Sequence, residues 1–205
     1  MPAPIHLQQM YTHTLNPLKG WPSPTALDFT AGISVEVTNK RNSGDLPPDY
    51  VLHAGMVCSL HPTDNKLVPG VRGHAMPLFI FQGELAADVY RPNPNDVGWI
   101  AINPSGRIAC LVATGAYELE TTEFVDTLSY QVNDLLRSPT KGANAGKLTN
   151  ANAVAACDTN DPGTNSVAIV GVVSRPPYTN AYGRRVIAFW PVWYPGRANE
   201  PESST

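Results

Sequence analysis

His53, Cys58, His61 and His74 are the side chains best suited to ligate a metal, and they are spaced at intervals of five, three and thirteen. Imidazole and thiolate groups on neighbouring strands can close a tetrahedral zinc site when their spacing brings them together. These intervals match no finger or ribbon, His61-Pro62 starts a turn, and Cys58 alternates with apolar neighbours as a core residue does. No metal and no cofactor is therefore expected. The segment GANAGK, 142–147, invites a phosphate-loop reading, but its glycines stand one residue too close and Leu148 occupies the place of the magnesium-binding Ser or Thr. The chain has no GxSxG, and Ser105 in NPSG belongs to a turn. Asp88, Asp96, Glu118, Glu120 and Glu123 are the acids available for paired-carboxylate glycoside cleavage. ELETTE, 118–123, reads instead as the solvated face of an alternating strand. No catalytic residue is expected, and the chain is read as not an enzyme.

The elements that must position these residues are short. Ile33, Val35 and Val37 alternate with polar residues, which predicts a half-buried strand, and NKRNSGD, 39–45, predicts a turn. VLHAGMVCSLHPTDNKLVPGV, 51–71, predicts a hairpin closed by HPTDNK. PLFIFQG, 77–83, is a buried strand, and WIAINPSGRIACLVATG, 99–115, holds two strands around a turn. Tyr117, Leu119 and Thr121 begin another alternation. SYQVNDLLRS, 129–138, fits either a short helical turn or a strand entering the turn at Pro139. The small and polar residues 139–166 predict a long exposed loop. VAIVGVVS, 167–174, is a buried strand in which Gly171 marks a bulge or a close backbone approach. VIAFWPVWYPG, 186–196, is a last strand that Pro191 places at a sheet edge or a bulge. HAGMVCSLHPTDNKLVPG leading into PLFIFQG resembles NDLLRSPTKGANAGKLTN leading into VAIVGVVS, an outline of internal repetition.

Turns at short intervals and no long amphipathic pattern predict an all-β fold, a small β-barrel or β-sandwich. The composition agrees: 20 Pro and 16 Gly in 205 residues, with 15% charged side chains against about 25% in ordinary domains. So low a charge suits a surface that a partner covers. The net charge of −3 supplies no footprint for phosphate backbones, so no nucleic-acid partner is expected. The chain contains no secretory signal pattern and no run of about eighteen apolar residues, so no membrane partner is expected and a soluble compartment is. Cys58, Cys110 and Cys157 read as buried thiols, with a disulfide between two of them left open.

Three regions follow. Residues 1–32 carry Pro2, Pro4, Pro17, Pro22 and Pro24 among Ile5, Leu7, Met10, Tyr11, Leu15 and Trp21, and read as an extended Pro-rich arm rather than a helix or an internal strand. Residues 33–196 form the β-domain, and 197–205 a flexible tail. The apolar residues of the arm are interface candidates, because leaving them in water is costly. So are Phe189, Trp190, Trp193 and Tyr194: alternation would send Phe189 to one face and Trp190 to the other, so either an interface or a bulged core takes the second set.

Residues 50–195 resemble the head decoration, or cement, proteins and related minor capsid proteins of tailed bacteriophages. The resemblance is carried by the hairpin HAGMVCSL to KLVPGV, by PLFIFQGE, by the YxxNDLL run, by the Gly-rich stretch ending GKLTN, by VAIVGVVSRPP and by FWPVWYPG. It implies a small β-barrel or sandwich on the outer surface of an icosahedral shell, commonly a homotrimer over points where capsid subunits meet. Its partners would be the major capsid protein and further copies of itself. The protein would be made in the host cytoplasm and reside at the capsid surface of the virion. A carbohydrate- or receptor-binding β-module using Trp190, Trp193 and Tyr194 as a stacking platform is the second expectation, and a hydrolase the third.

Overall fold

Short strands separated by polar turns build two antiparallel sheets in a computed structural model that describes residues 15–19, 29–71, 75–80, 108–112, 117–151 and 168–194. In chain order the strands are β1 (Leu15–Lys19), β2 (Phe29–Ala31), β3 (Val57–Leu60), β4 (Leu67–Pro69), β5 (Leu78–Ile80), β6 (Ile108–Val112), β7 (Glu118–Thr121), β8 (Leu135–Arg137), β9 (Thr149–Asn150), β10 (Ile169–Thr179) and β11 (Arg185–Tyr194), with helix α1 (Val35–Ser43) between β2 and β3. The six-stranded sheet runs β1-β7-β11-β10-β8-β9 and the five-stranded sheet β2-β6-β5-β3-β4. The fold is all-β and sandwich-like, as the turn spacing predicts.

The inner faces of the two sheets meet in one apolar cluster. Val57 and Phe79 of the five-stranded sheet pack with Leu15, Leu119, Leu136, Val173, Ile187 and Phe189 of the six-stranded sheet. The Phe79 and Phe189 rings lie 5.3 Å apart across the interface. Gly171 stands where any side chain would strike the Phe189 ring: an added Cβ would come within 2.8 Å of it. The ladder also shifts register between Ile169 and Gly171, so the glycine marks both a bulge and a close approach. A second cluster lies on the other face of the five-stranded sheet, where Val37 of α1 and Leu46, Tyr50, Leu52 and Met56 of the following loop cover Cys58, Leu78, Ile80 and Cys110. Both faces of that sheet are therefore buried, which is why VCSL and LFI read as continuous rather than alternating runs.

The two sheets repeat one connectivity. Strands β2 to β6 are ordered β2-β6-β5-β3-β4, and strands β7 to β11 are ordered β7-β11-β10-β8-β9, which is the same arrangement moved on by five strands. A detail outside the named strands repeats too. Ile33 bridges Leu67 in parallel two residues after β2, and Phe124 bridges Leu148 in parallel three residues after β7. The sequence outline shared by 53–83 and 133–174 maps onto equivalent strands: β3, β4 and β5 in the first half, β8, β9 and β10 in the second. The described strands thus form two five-stranded units facing one another, with β1 added beside β7.

Several local expectations change. The alternating residues Ile33, Val35 and Val37 do not make a strand; Val35–Ser43 is helical. The Ser34 hydroxyl caps it by accepting from the Glu36 amide at 3.1 Å, Lys40 and Arg41 lie in its last turn, and Gly44 ends it. Only Val37 of this helix is buried, and Val35 is exposed. Of the stretch 1–32 read as an extended arm, the described residues 15–19 and 29–31 form edge strands, β1 on β7 and β2 on β6, and residues 1–14 and 20–28 lie outside the described residues. Pro17 is tolerated because an edge strand has outward amides that no ladder needs. Of 129–138 the strand reading holds: a turn at Val132 and Asn133 leads into β8. Residues 140–151 are not an exposed loop, since Ala145, Leu148, Thr149 and Asn150 are buried and the last two form β9. In GANAGK the Gly146 amide donates to the Pro139 carbonyl at 2.9 Å, and the Ala145 carbonyl accepts from the Tyr50 hydroxyl at 2.7 Å, so the segment is a packed turn. Pro191 lies in β11, opposite Gly171 at the register shift, so the bulge reading of that proline holds.

Candidate functional site

The inner face of the six-stranded sheet is spent on the core, so the face turned away from it is where this sheet can meet something else. β7 places Leu119 inward and Glu118 and Glu120 outward. Their expected solvation is overturned: Glu118 is 1% exposed and Glu120 3%. The reason lies on strands distant in sequence. The Ser174 hydroxyl donates to Glu118 Oε1 at 2.6 Å, Lys19 Nζ stands 3.0 Å from Oε2 and Arg175 Nε 3.6 Å from Oε1. Glu120 accepts from the Tyr178 hydroxyl at 2.6 Å and from Asn180 Nδ2 at 2.9 Å. Glu123, next along the chain, is buried as well and accepts from Thr122.

Burial works to raise the Glu118 pKa, but the Ser174 hydroxyl and the two cations outweigh it and hold the carboxyl below the usual glutamate range. Tyr178 moves the other way. Burial first, and then its bond to Glu120, push the phenol well up, so it stays a neutral donor. The chemistry of this set is cohesion: the Glu118 carboxylate ties β1, β7 and β10 together, while Glu120 anchors the end of β10 and the turn that leads into β11.

Beside this polar half runs an apolar row. Val172 is in register with Leu135 on one side and with Trp190 on the other, so the three side chains cross β8, β10 and β11 on the outer face. Leu135 is 41% exposed, and Val172 and Trp190 are half-buried. Val132, in the turn before β8, and Trp193 and Tyr194, at the end of β11, are further exposed large side chains. Asn133, the residue after Val132, has a left-handed φ of 73° and donates its amide to the Val173 carbonyl at 2.8 Å, which fixes the turn that presents Val132. The two halves touch where Lys19 Nζ lies 5.6 Å from the centre of the Trp190 ring.

The duplicated topology gives this row a counterpart. In the first half, Cys58 is in register with Leu78, and Leu78 with Val112. There Cys58 and Leu78 are fully buried beneath α1 and the loop that follows it. In the second half the connection equivalent to that cover, residues 122–134, sends Phe124 and Tyr130 into the inner core instead. Among the described residues, no equivalent layer lies over the outer row of the six-stranded sheet.

Of the interface candidates, Leu15 and Phe189 are buried within this chain's own core: Leu15 points inward from β1, and Phe189 packs on Phe79. Trp190 lies on the outer face, and Trp193 and Tyr194 are exposed at the end of β11. Ile5, Leu7, Met10, Tyr11 and Trp21 lie outside the described residues, as do His74, Asp88, Asp96, Ser105 and Cys157. Among the described residues no three His, Cys, Asp or Glu side chains converge as metal ligands. His61 instead faces Asp64 at 3.4 Å, and Asp64 accepts from the Ser34 hydroxyl at 2.8 Å, which ties the β3–β4 turn to the start of α1. Sequence reasoning missed Lys19, Leu135, Val172, Arg175, Tyr178 and Asn180. The alternation that puts Trp190 opposite Phe189 was the one local signal for this face.

Comparison with family profiles, with curated proteins and with solved structures finds no match for this chain.

Proposed function

We propose that this protein is a structural component of a tailed-phage head, a decoration protein that docks on the outer surface of the capsid shell through the outer face of its six-stranded sheet. The observation that carries the reading is the row Leu135–Val172–Trp190, exposed or half-buried and without a covering layer among the described residues, where its counterpart in the first half is buried under α1 and its loop. Burying a side chain of that size is worth about 1.5–3 kcal/mol, so such a row favours a partner that supplies the missing layer. The sequence resemblance names the partner as the major capsid protein, and it names the assembly as a homotrimer at the meeting points of capsid subunits. A low proportion of charged residues fits a surface built for contact. No bond needs to be made or broken for this work.

The test is mass spectrometry of purified virions together with copy number, followed by binding of Trp190→Ser and Trp193→Ser variants to shells assembled without this chain. The chain is expected at a copy number that is a fixed multiple of the capsid subunits. Both variants are expected to bind more weakly while their unfolding midpoints change little. Absence from virions sinks the proposal. Quenching of tryptophan fluorescence by sugars, without shell binding, would point to the carbohydrate-binding alternative.

A further inference from the structure

We infer that the partner surface meeting this face is apolar opposite the Leu135–Val172–Trp190 row and carries carboxylates opposite Lys19 and Arg175. The inference rests on the docking reading above and adds the chemistry of what docks.

Charge on this face is layered. Glu118 and Glu120 lie beneath at 1% and 3% exposure, whereas the side chains of Lys19 and Arg175 stand above them at 59% and 51%. The four formal charges cancel, yet an approaching group meets the cations first and the anions only through them. Coulomb interaction falls with distance, so for a group approaching this patch the two exposed cations are the nearer charges.

Both cations are also held in place. Each pairs with the one Glu118 carboxylate, and each lies over an aromatic ring: Lys19 at 5.6 Å from Trp190, Arg175 at 5.9 Å from Tyr178. Long cationic side chains normally lose much rotamer freedom on binding, and here much of that loss is incurred in folding. A fixed Lys and Arg beside a half-buried Trp is the composition from which strong contact sites are built. The apolar part of the match follows from the duplicated fold, since the equivalent row in the first half is covered by Val37, Leu46, Leu52 and Met56.

The experiment measures binding of the full chain to shells assembled without it, over a salt series, for the wild type and for Lys19→Gln combined with Arg175→Gln. A second set of shells has its carboxylates converted to amides with carbodiimide and glycinamide. Two exposed pairs predict that the double variant binds roughly threefold to tenfold more weakly, with a flatter salt dependence. Amidated shells are expected to bring the wild type down to the level of the variant and to leave the variant unchanged. The charge-conserving pair Lys19→Arg with Arg175→Lys is expected to keep the salt slope, which separates charge from folding. Equal affinity and slope for wild type and double variant overturn the inference, as does an equal loss by both on amidated shells. If Trp190→Ser weakens binding while the charge variants do not, the partner chemistry falls and the docking reading stands. If the wild type does not bind shells at all, both fall.

Discussion

Glu118 joins three strands through one carboxylate, and that makes its ionisation a stability matter. Its folded-state pKa is depressed, because the Ser174 hydroxyl, Lys19 and Arg175 outweigh the cost of burial. A depressed pKa contributes stability that is complete above the ordinary glutamate range; that stability is lost as pH falls through that range and on through the folded value. The Glu118→Gln variant is therefore expected to be less stable than the wild type at neutral pH, by about 1–3 kcal/mol for a buried charge-assisted network. The gap should close as both proteins are acidified. Thermal unfolding of the two between neutral pH and pH values below the glutamate range checks it, and a gap that stays constant or widens in acid would show that the carboxylate is not ionised in the fold. At Gly70 the constraint is steric. Its φ is 74°, and an added Cβ would stand 1.9 Å from the Pro139 carbonyl oxygen, with backbone rather than a movable side chain in the way. Gly70→Ala is expected to cost about 2–4 kcal/mol in urea denaturation, and a loss under about 1 kcal/mol would mean that the 138–140 segment shifts freely.

The elements divide into those whose local pattern settles them and those whose partners come from far along the chain. VCSL and LFI were legible because both of their faces are buried, so apolar residues run without a break. In β11 the alternation correctly separated Phe189 from Trp190. Helix α1 was misread because its β-branched residues alternate over three positions. The capping Ser34, the basic last turn and Gly44 were the better signals, and they concern ends rather than faces. ELETTE was read as a strand with the wrong environment for its acids. Nothing near it in sequence announces that Lys19, Ser174, Tyr178 and Asn180 will bury them. The apolar row was invisible for the same reason, since Leu135 and Trp190 meet only through Val172. These assignments predict unequal costs along single strands. Leu15→Ala in β1 should lose about 2–5 kcal/mol and Phe189→Ala in β11 about 3–5 kcal/mol, because each leaves a cavity in the shared core. Trp193→Ser, four residues beyond Phe189, should stay within about 0.5 kcal/mol. Chemical denaturation of the three variants decides it; a Leu15→Ala protein as stable as the wild type would return β1 to the role of a docking arm.

At the scale of the whole molecule, the duplicated units share one inner core, and the five-stranded sheet is the middle of three layers, between the six-stranded sheet and the cover of α1 with its loop. Its thiols report on how those layers come apart. Cys58 and Cys110 are both 0% exposed and both belong to the outer cluster of that sheet. Burial pushes the Cys58 thiol well up, with the Cys110 thiol adding to it, and burial pushes Cys110 up to about 12, so access and thiolate formation are suppressed together. In a Cys157→Ser variant, a disulfide reagent should therefore label the native protein only through opening. Two openings are available. Detaching α1 and residues 44–56 alone would uncover Cys58, Leu78 and Cys110 while the Phe79–Phe189 contact stays shut, and its rate would depend weakly on urea because little surface is exposed. Opening of the whole sandwich would carry the full urea dependence of unfolding. Tyr50 favours the second course: its hydroxyl donates to the Ala145 carbonyl in the second half of the chain, so lifting the cover also breaks a contact between the two units. Labelling of both thiols is expected to proceed at a common rate whose urea dependence equals that of global unfolding measured by fluorescence. Rapid labelling of Cys58 with shallow urea dependence would show instead that the helical cover is a separate, detachable layer.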